Sequence, residues 1–162
     1  VTDQTDPLAT TLRPLPGPPF AGNLDLVTAG EWTGWHKWGS TDPFEEATGP
    51  YYVARDEHGL VCGFRPGPGN CNGHGTIHGG SLMTFADFSL FMLGGSQGEE
   101  VSGVTVTMTC EFLGAAHAGQ LLLARGGRTG GGRSLVFVRG QITAGDRPVL
   151  GFSGVIKRFR QA

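Results

Sequence analysis

Residues 79–93, GGSLMTFADFSLFML, constrain this chain more than any other stretch. Leu82, Met83, Phe85, Ala86, Phe88, Leu90, Phe91, Met92 and Leu93 run round a helix that keeps almost no wet face, and such a helix belongs inside a fold. Its one carboxylate, Asp87, therefore stands where carboxylates seldom go unless paired or in use. A glycine-rich loop, Asn72-Gly73-His74-Gly75-Thr76-Ile77-His78-Gly79-Gly80, leads into it. Gly79 and Gly80 open the helix with backbone N–H groups that no side chain screens. A helix start of this kind favours negative charge, including charge that develops only in a transition state.

The spacing adds a constraint. Asp87 follows His78 by nine residues, a rise of roughly 13 Å and a rotation of about half a turn if all are helical. One chain's helix start and its own Asp87 are then too far apart to act on one carbonyl. Two antiparallel copies of the helix about a two-fold axis would bring each Asp87 beside the other copy's Gly79, so the helix predicts a dimer. Ser81, Thr84 and Asp87, three apart, form the helix's polar stripe and could face such a shared site.

Around this helix the period changes to two. YYVARDEHGLVCGFRP reads as two short strands about a turn near Glu57-His58-Gly59. In VTVTMTCEF, Val104, Val106, Met108, Cys110 and Phe112 alternate with Thr105, Thr107, Thr109 and Glu111, the pattern of a half-buried strand. QLLLARGGR, SLVFVRGQITA and PVLGFSGVIKRF follow, joined by turns at 129–132 and at Gly145-Asp146, so an antiparallel meander of four strands is expected. An α+β fold follows, in which a curved antiparallel sheet wraps the central helix. Residues 1–45 read as an N-terminal arm, and 46–162 as the domain proper. Within the arm, Trp32, Trp35 and Trp38 recur at three-residue spacing, which predicts a short helix that docks its aromatic face or covers an apolar tunnel.

Net charge at pH 7 is −2, with no basic run, so nucleic acid is not an expected partner. Residues 82–93 are too short to span a bilayer, and no basic region precedes an apolar one at the N-terminus, so neither a membrane span nor a secretory signal is expected. Cys62, Cys71 and Cys110 are scattered and odd in number, which suits a reducing cytoplasm.

The order of elements and the signature Asn72-x-x-Gly75-Thr76-Ile77-His78-Gly79-Gly80, with Asp87 and then Gly103-Val104-Thr105, resemble the hotdog-fold thioesterases, in particular the phenylacetyl-CoA thioesterase-like acyl-CoA hydrolases. The resemblance covers roughly residues 50–159. It implies a hydrolase of acyl-CoA that needs neither metal nor cofactor and works as a homo-oligomer, a dimer or a dimer of dimers. By position, it implies that the Gly79 N–H, helped by Asn72, polarises the thioester carbonyl. Asp87 of the facing subunit would be general base or nucleophile, Thr105 would hold the water, and His78 would shape the loop. Gly80, Thr84, Arg128 and Arg133 would contact the substrate or its coenzyme A portion, with Arg125 as a further candidate beside the 126–132 turn.

Other chemistries fit less well. Cys71, His74 and His78 have the spacing Cys-x2-His-x3-His, but no fourth zinc ligand stands nearby. No G-x-S-x-G elbow is present. A non-catalytic module that binds or senses acyl-CoA on the same scaffold remains the alternative, although mere binding requires neither Asp87 nor Asn72.

Overall fold

The computed structural model describes residues 24–95 and 101–159. In chain order the elements are β1 (Leu24–Leu26), β2 (His36–Trp38), α1 (Pro43–Thr48), β3 (Tyr51–Asp56), β4 (Gly59–Phe64), α2 (Gly79–Gly94), β5 (Gly103–Phe112), β6 (Leu122–Gly131), β7 (Leu135–Ala144) and β8 (Arg147–Arg158). All eight strands form one antiparallel sheet in the order β1-β2-β3-β4-β6-β7-β8-β5. The expected α+β architecture is present, with α2 lying across the sheet.

Burial explains the arrangement. Phe85, Leu90 and Leu93 of α2 are fully buried against Phe64, Leu122, Ile142, Leu150, Phe152 and Ile156 of the sheet. Each such side chain contributes roughly 1.5–3 kcal/mol relative to exposure. The helix approaches β8 so closely that a Cβ at Gly154 would collide with Leu90, which reserves that position for glycine. Ser89, fully buried, donates its hydroxyl to the Phe85 carbonyl at 2.7 Å and so leaves no polar atom unpaired.

Three details depart from expectation. Strands β6, β7 and β8 form the meander, but β5 pairs with β8 at the far edge and does not touch β6. The described residues do not enclose the helix on every side: Met83 is 37% exposed, and Gly80 is also exposed. The tryptophan stretch is a turn followed by β2, not a helix, and alternation across a strand sends its rings to opposite faces of the sheet. Trp32 and Trp35 pack outside, with Ala54 and Val61, and Trp32 stacks on Tyr52 at 4.1 Å. Trp38 packs against the main core. Strands β1 and β2 of the arm hydrogen-bond into the same sheet as β3. The proline-rich part of the arm, up to residue 23, lies outside the described residues.

Candidate active site

The loop before α2 is built by its own side chains. Asn72 Oδ1 accepts from the backbone N–H groups of His74 (2.9 Å) and Thr76 (3.3 Å), while its Nδ2 donates to Thr76 Oγ1 at 2.8 Å. Asn72 thus organises the loop with most of its hydrogen-bonding capacity, and one Nδ2 hydrogen remains uncommitted among the described residues. Asn70, which the sequence reading passed over, donates to the Thr48 carbonyl (2.7 Å) and to Ser81 Oγ (3.2 Å). It ties α1, the loop and α2 together. The Ile77 N–H donates to Ala116 and that of His78 to Asn70, which seats the loop on the connection between β5 and β6.

At the helix start, His78 is the N-cap, and its Nδ1 accepts the Gly80 N–H at 2.9 Å. That bond requires Nδ1 to be unprotonated, so the imidazole shapes the turn. The N–H groups of Ser81 and Leu82 donate to the His78 carbonyl. Among the described residues, the Gly79 N–H donates to nothing. It is the open donor of the first turn, the one a helix start most readily offers to an anion. The Phe112 ring lies over Gly79, where a Cβ would stand 3.1 Å from it.

Two turns along α2, Asp87 is held by the sheet. Thr105 Oγ1 donates to Asp87 Oδ1 at 2.6 Å, and Oδ2 has no hydrogen-bond partner among the described residues. A β-bulge makes this contact. Thr105 pairs with Ile156 and Thr107 with Val155, so Val106 is an extra residue on β5. The bulge reverses the alternation. Thr105 joins Met108, Cys110 and Phe112 on the helix side, and Val104 and Val106 are turned out, 48% and 52% exposed. Strict alternation would have left Thr105 on the wrong face.

Asp87 lies on the wall of a cavity of about 330 Å³, between α2, the segment from β2 to α1, and the start of β5. Trp38, Phe88, Phe91, Met92, Val101 and Phe159 supply apolar walls, and Asp42 and Glu45 line it as well. Burial, together with the charges of Asp42 and Asp87, raises the Glu45 carboxyl to a pKa of about 7. Glu45 carried no functional signal in the sequence, because Asp42-Pro43-Phe44-Glu45 reads as an ordinary helix start, whereas Trp38 belongs to the stretch expected either to dock on the domain or to cover an apolar tunnel.

The remaining expected residues are elsewhere or occupied. Ser81 is engaged by Asn70, and Thr84 Oγ1 donates to the Gly80 carbonyl at 2.9 Å, so of the polar stripe only Asp87 reaches the cavity. Arg125 is bound to Asp56 through both guanidinium Nη atoms. Arg128 is at the far end of β6 and Arg133 in the turn before β7, and neither lines the Asp87 cavity. Within one chain, Asp87 and Thr105 come together. Gly79 is eight helical residues from Asp87, about 12 Å along the axis.

Comparison with known proteins supports the family resemblance. The model of the thioesterase superfamily matches residues 74–150. PA0474 of Pseudomonas aeruginosa, whose name assigns it only a presumed esterase activity, is 31% identical over 117 residues, covering 71% of this chain and 87% of that protein. Among solved structures, the E. coli PaaI protein from the phenylacetic acid degradation operon has a TM-score of 0.64 at 23% identity, over 75% of this chain and 88% of that one. A hypothetical thioesterase of Streptococcus pneumoniae TIGR4, solved with coenzyme A, has a TM-score of 0.61 at 19% identity, over 85% and 97% of the two chains. Both show the same fold. With the curated relative and the family model both matching across the helix that carries Asp87, the chain belongs to the thioesterase superfamily.

Proposed function

We propose that this protein hydrolyses acyl-CoA thioesters to a free acid and coenzyme A, in sites shared between two copies of the chain. The observation that carries the reading is the Asp87 carboxylate, fixed through Oδ1 by Thr105, with an Oδ2 on a cavity wall that no described residue engages. In the proposed reaction, Oδ2 takes a proton from a water whose oxygen attacks the thioester carbonyl carbon. The carbonyl oxygen becomes an oxyanion, held by the Gly79 N–H of the other copy and by the remaining Nδ2 hydrogen of Asn72. Collapse of this intermediate breaks the C–S bond, and the leaving thiolate takes the proton that Asp87 had accepted, which restores the carboxylate. His78 serves by holding the helix start, and Gly80, whose N–H it occupies, serves as backbone.

Three features support the shared site. Gly79 and Asp87 are about 12 Å apart along one helix, too far to act on one carbonyl. The helix face bearing Gly80, Met83 and Asp87 is incompletely covered by the described residues of its own chain. Among the described residues, strand β5 is an open sheet edge carrying exposed Val104 and Val106, an arrangement that invites pairing with a second copy. The relative solved with coenzyme A supports the substrate class by analogy of fold, and the exposed Arg133 with Arg128 supplies cations suited to the phosphates.

The test is hydrolysis of short, long and aromatic acyl-CoAs, followed by release of free thiol. Asp87→Asn should lower kcat at least about a hundredfold with an unchanged thermal melt. Turnover near wild type in that variant would sink the mechanism.

A further inference from the structure

The wall of the Asp87 cavity formed by β2 and α1 comes from residues that precede the matched superfamily segment, 74–150. Glu45 belongs to it, and its conformation needs explanation. Asp42-x-x-Glu45 has the sequence of a capping box, in which each side chain satisfies the other's backbone N–H. Only half of the box forms. The Glu45 N–H donates to Asp42 Oδ1 at 3.0 Å, but the Glu45 carboxylate does not return to the Asp42 N–H. It has no hydrogen-bond partner among the described residues and lines the cavity, half-buried, with Trp38 and Asp87. A half-buried carboxylate without a donor incurs a desolvation cost that a donor on a bound ligand would relieve.

We propose that Glu45, with Trp38 beside it, determines specificity in the acyl pocket, selecting acyl groups that end in an amine or another hydrogen-bond donor and rejecting those that end in a carboxylate. The inference rests on the thioesterase reading of Asp87. Three observations fix the ligand class. At roughly 30 Å³ per water-sized group, the cavity holds about ten non-hydrogen atoms, which suits a medium acyl chain or one ring. Its stem would lie among Phe88, Phe91 and Met92, and aromatic faces such as Trp38 favour a cation over an anion. Its charged lining residues, Asp42, Glu45 and Asp87, are all acidic, with Ser102 the neutral polar neighbour, so a carboxylate on the acyl end would meet like charge at short range.

The selection depends on pH. With its pKa raised to about 7, Glu45 is largely uncharged at pH 6 and charged at pH 8. The charged and titratable groups round it are Asp42 at the head of α1, Asp87 on α2, and Lys37, Glu46 and Tyr51 in the adjoining surface hollow that shares Trp38 and Glu45. Preference for a cationic end should therefore strengthen as pH rises through 7.

Three substrates of equal length test this: hexanoyl-CoA, 6-aminohexanoyl-CoA and adipoyl-CoA, which end in methyl, ammonium and carboxylate. The wild-type protein should prefer the ammonium end to the carboxylate end at least about thirtyfold in kcat/KM at pH 8, and several-fold less at pH 6. Glu45→Gln should reduce the ratio at pH 8 at least about tenfold and abolish its change with pH. A ratio near one in the wild type, or one that Glu45→Gln leaves unaltered, would overturn the proposal and assign the cavity to the pantetheine arm instead. The wild-type pH comparison needs no variant to fold. Calorimetric titration of the three thioesters into Asp87→Asn reads the same order of affinity without turnover. Loss of hydrolysis as a reading and loss of this pocket assignment are thereby separate results.

Discussion

Replacing Arg125 by Ala should destabilise the fold by about 3–5 kcal/mol at neutral pH, because it strands a buried charge. Only 2% of the Asp56 side chain is exposed, against 38% for Arg125. The guanidinium grips both carboxylate oxygens, one at 3.0 Å, and the His58 N–H adds a third bond at 2.9 Å. Burial alone would push the Asp56 pKa up. The bonds from Arg125 and His58 and the guanidinium charge outweigh it, and the carboxyl lies below its ordinary value. A depressed folded-state pKa contributes stability that is present above the unfolded value, about 3.9, and is lost as pH falls through the folded one. Without Arg125, the His58 N–H is left as the main group opposing burial, and Asp56 can escape much of its penalty by taking a proton. The deficit of Arg125→Ala should therefore be largest near pH 7.5 and shrink towards pH 5. For a domain of this size the loss at neutral pH corresponds to a fall in Tm of roughly 6–20 °C. Urea unfolding at the two pH values measures it, and the double variant Asp56→Asn/Arg125→Met should recover most of the loss, since a neutral pair leaves no charge to strand. A deficit below about 1 kcal/mol, or one that grows on acidification, would refute the reasoning.

Thr105→Val should lower kcat about tenfold or more at an unchanged melt, because Asp87 loses the hydrogen bond that aims it; an unaltered rate would remove Thr105 from the site. Mixing Asp87→Asn chains with Gly79→Val chains should restore up to about a quarter of wild-type activity, since a mixed two-fold dimer has one site with both poles intact. No recovery, with mixed dimers verified by mass, would place both poles in one chain.

The parts of this molecule legible in its sequence are those with unbroken periods. The apolar helix over 79–93, the pair of strands about residues 57–59 and the turn at Gly145 follow from local pattern, and each is present. Sequence alone could not give the position of β5 in the sheet, because alternation shows that a strand exists but not which neighbour it takes. Nor could it give the bulge at Val106, where both a threonine and a valine suit either face of an edge strand. The tryptophans misled for a related reason. A spacing of three fits a helix, but it also fits a turn followed by a strand that divides its rings between two apolar clusters. Glu45 was hidden by a stronger local explanation, the capping box, which only the missing return bond dismisses.

The bulge links the chemistry to the proposed assembly. Were β5 regular from Gly103 onward, keeping Met108, Cys110 and Phe112 against the helix would turn Thr105 outward and Val104 and Val106 inward. Asp87 would then face two valines, a setting that disfavours its charge and offers no donor. The extra residue reverses both consequences in one step. It delivers the Thr105 hydroxyl to Asp87, and it sets two valines on the outside of a strand whose far edge has no partner among the described residues. Apolar β-branched side chains on an open edge are a hazard for a lone chain. They become an asset where a second copy must bring its helix start to this carboxylate. On the proposed reading, one inserted residue both arms the acid and marks the edge through which the other half of the site arrives.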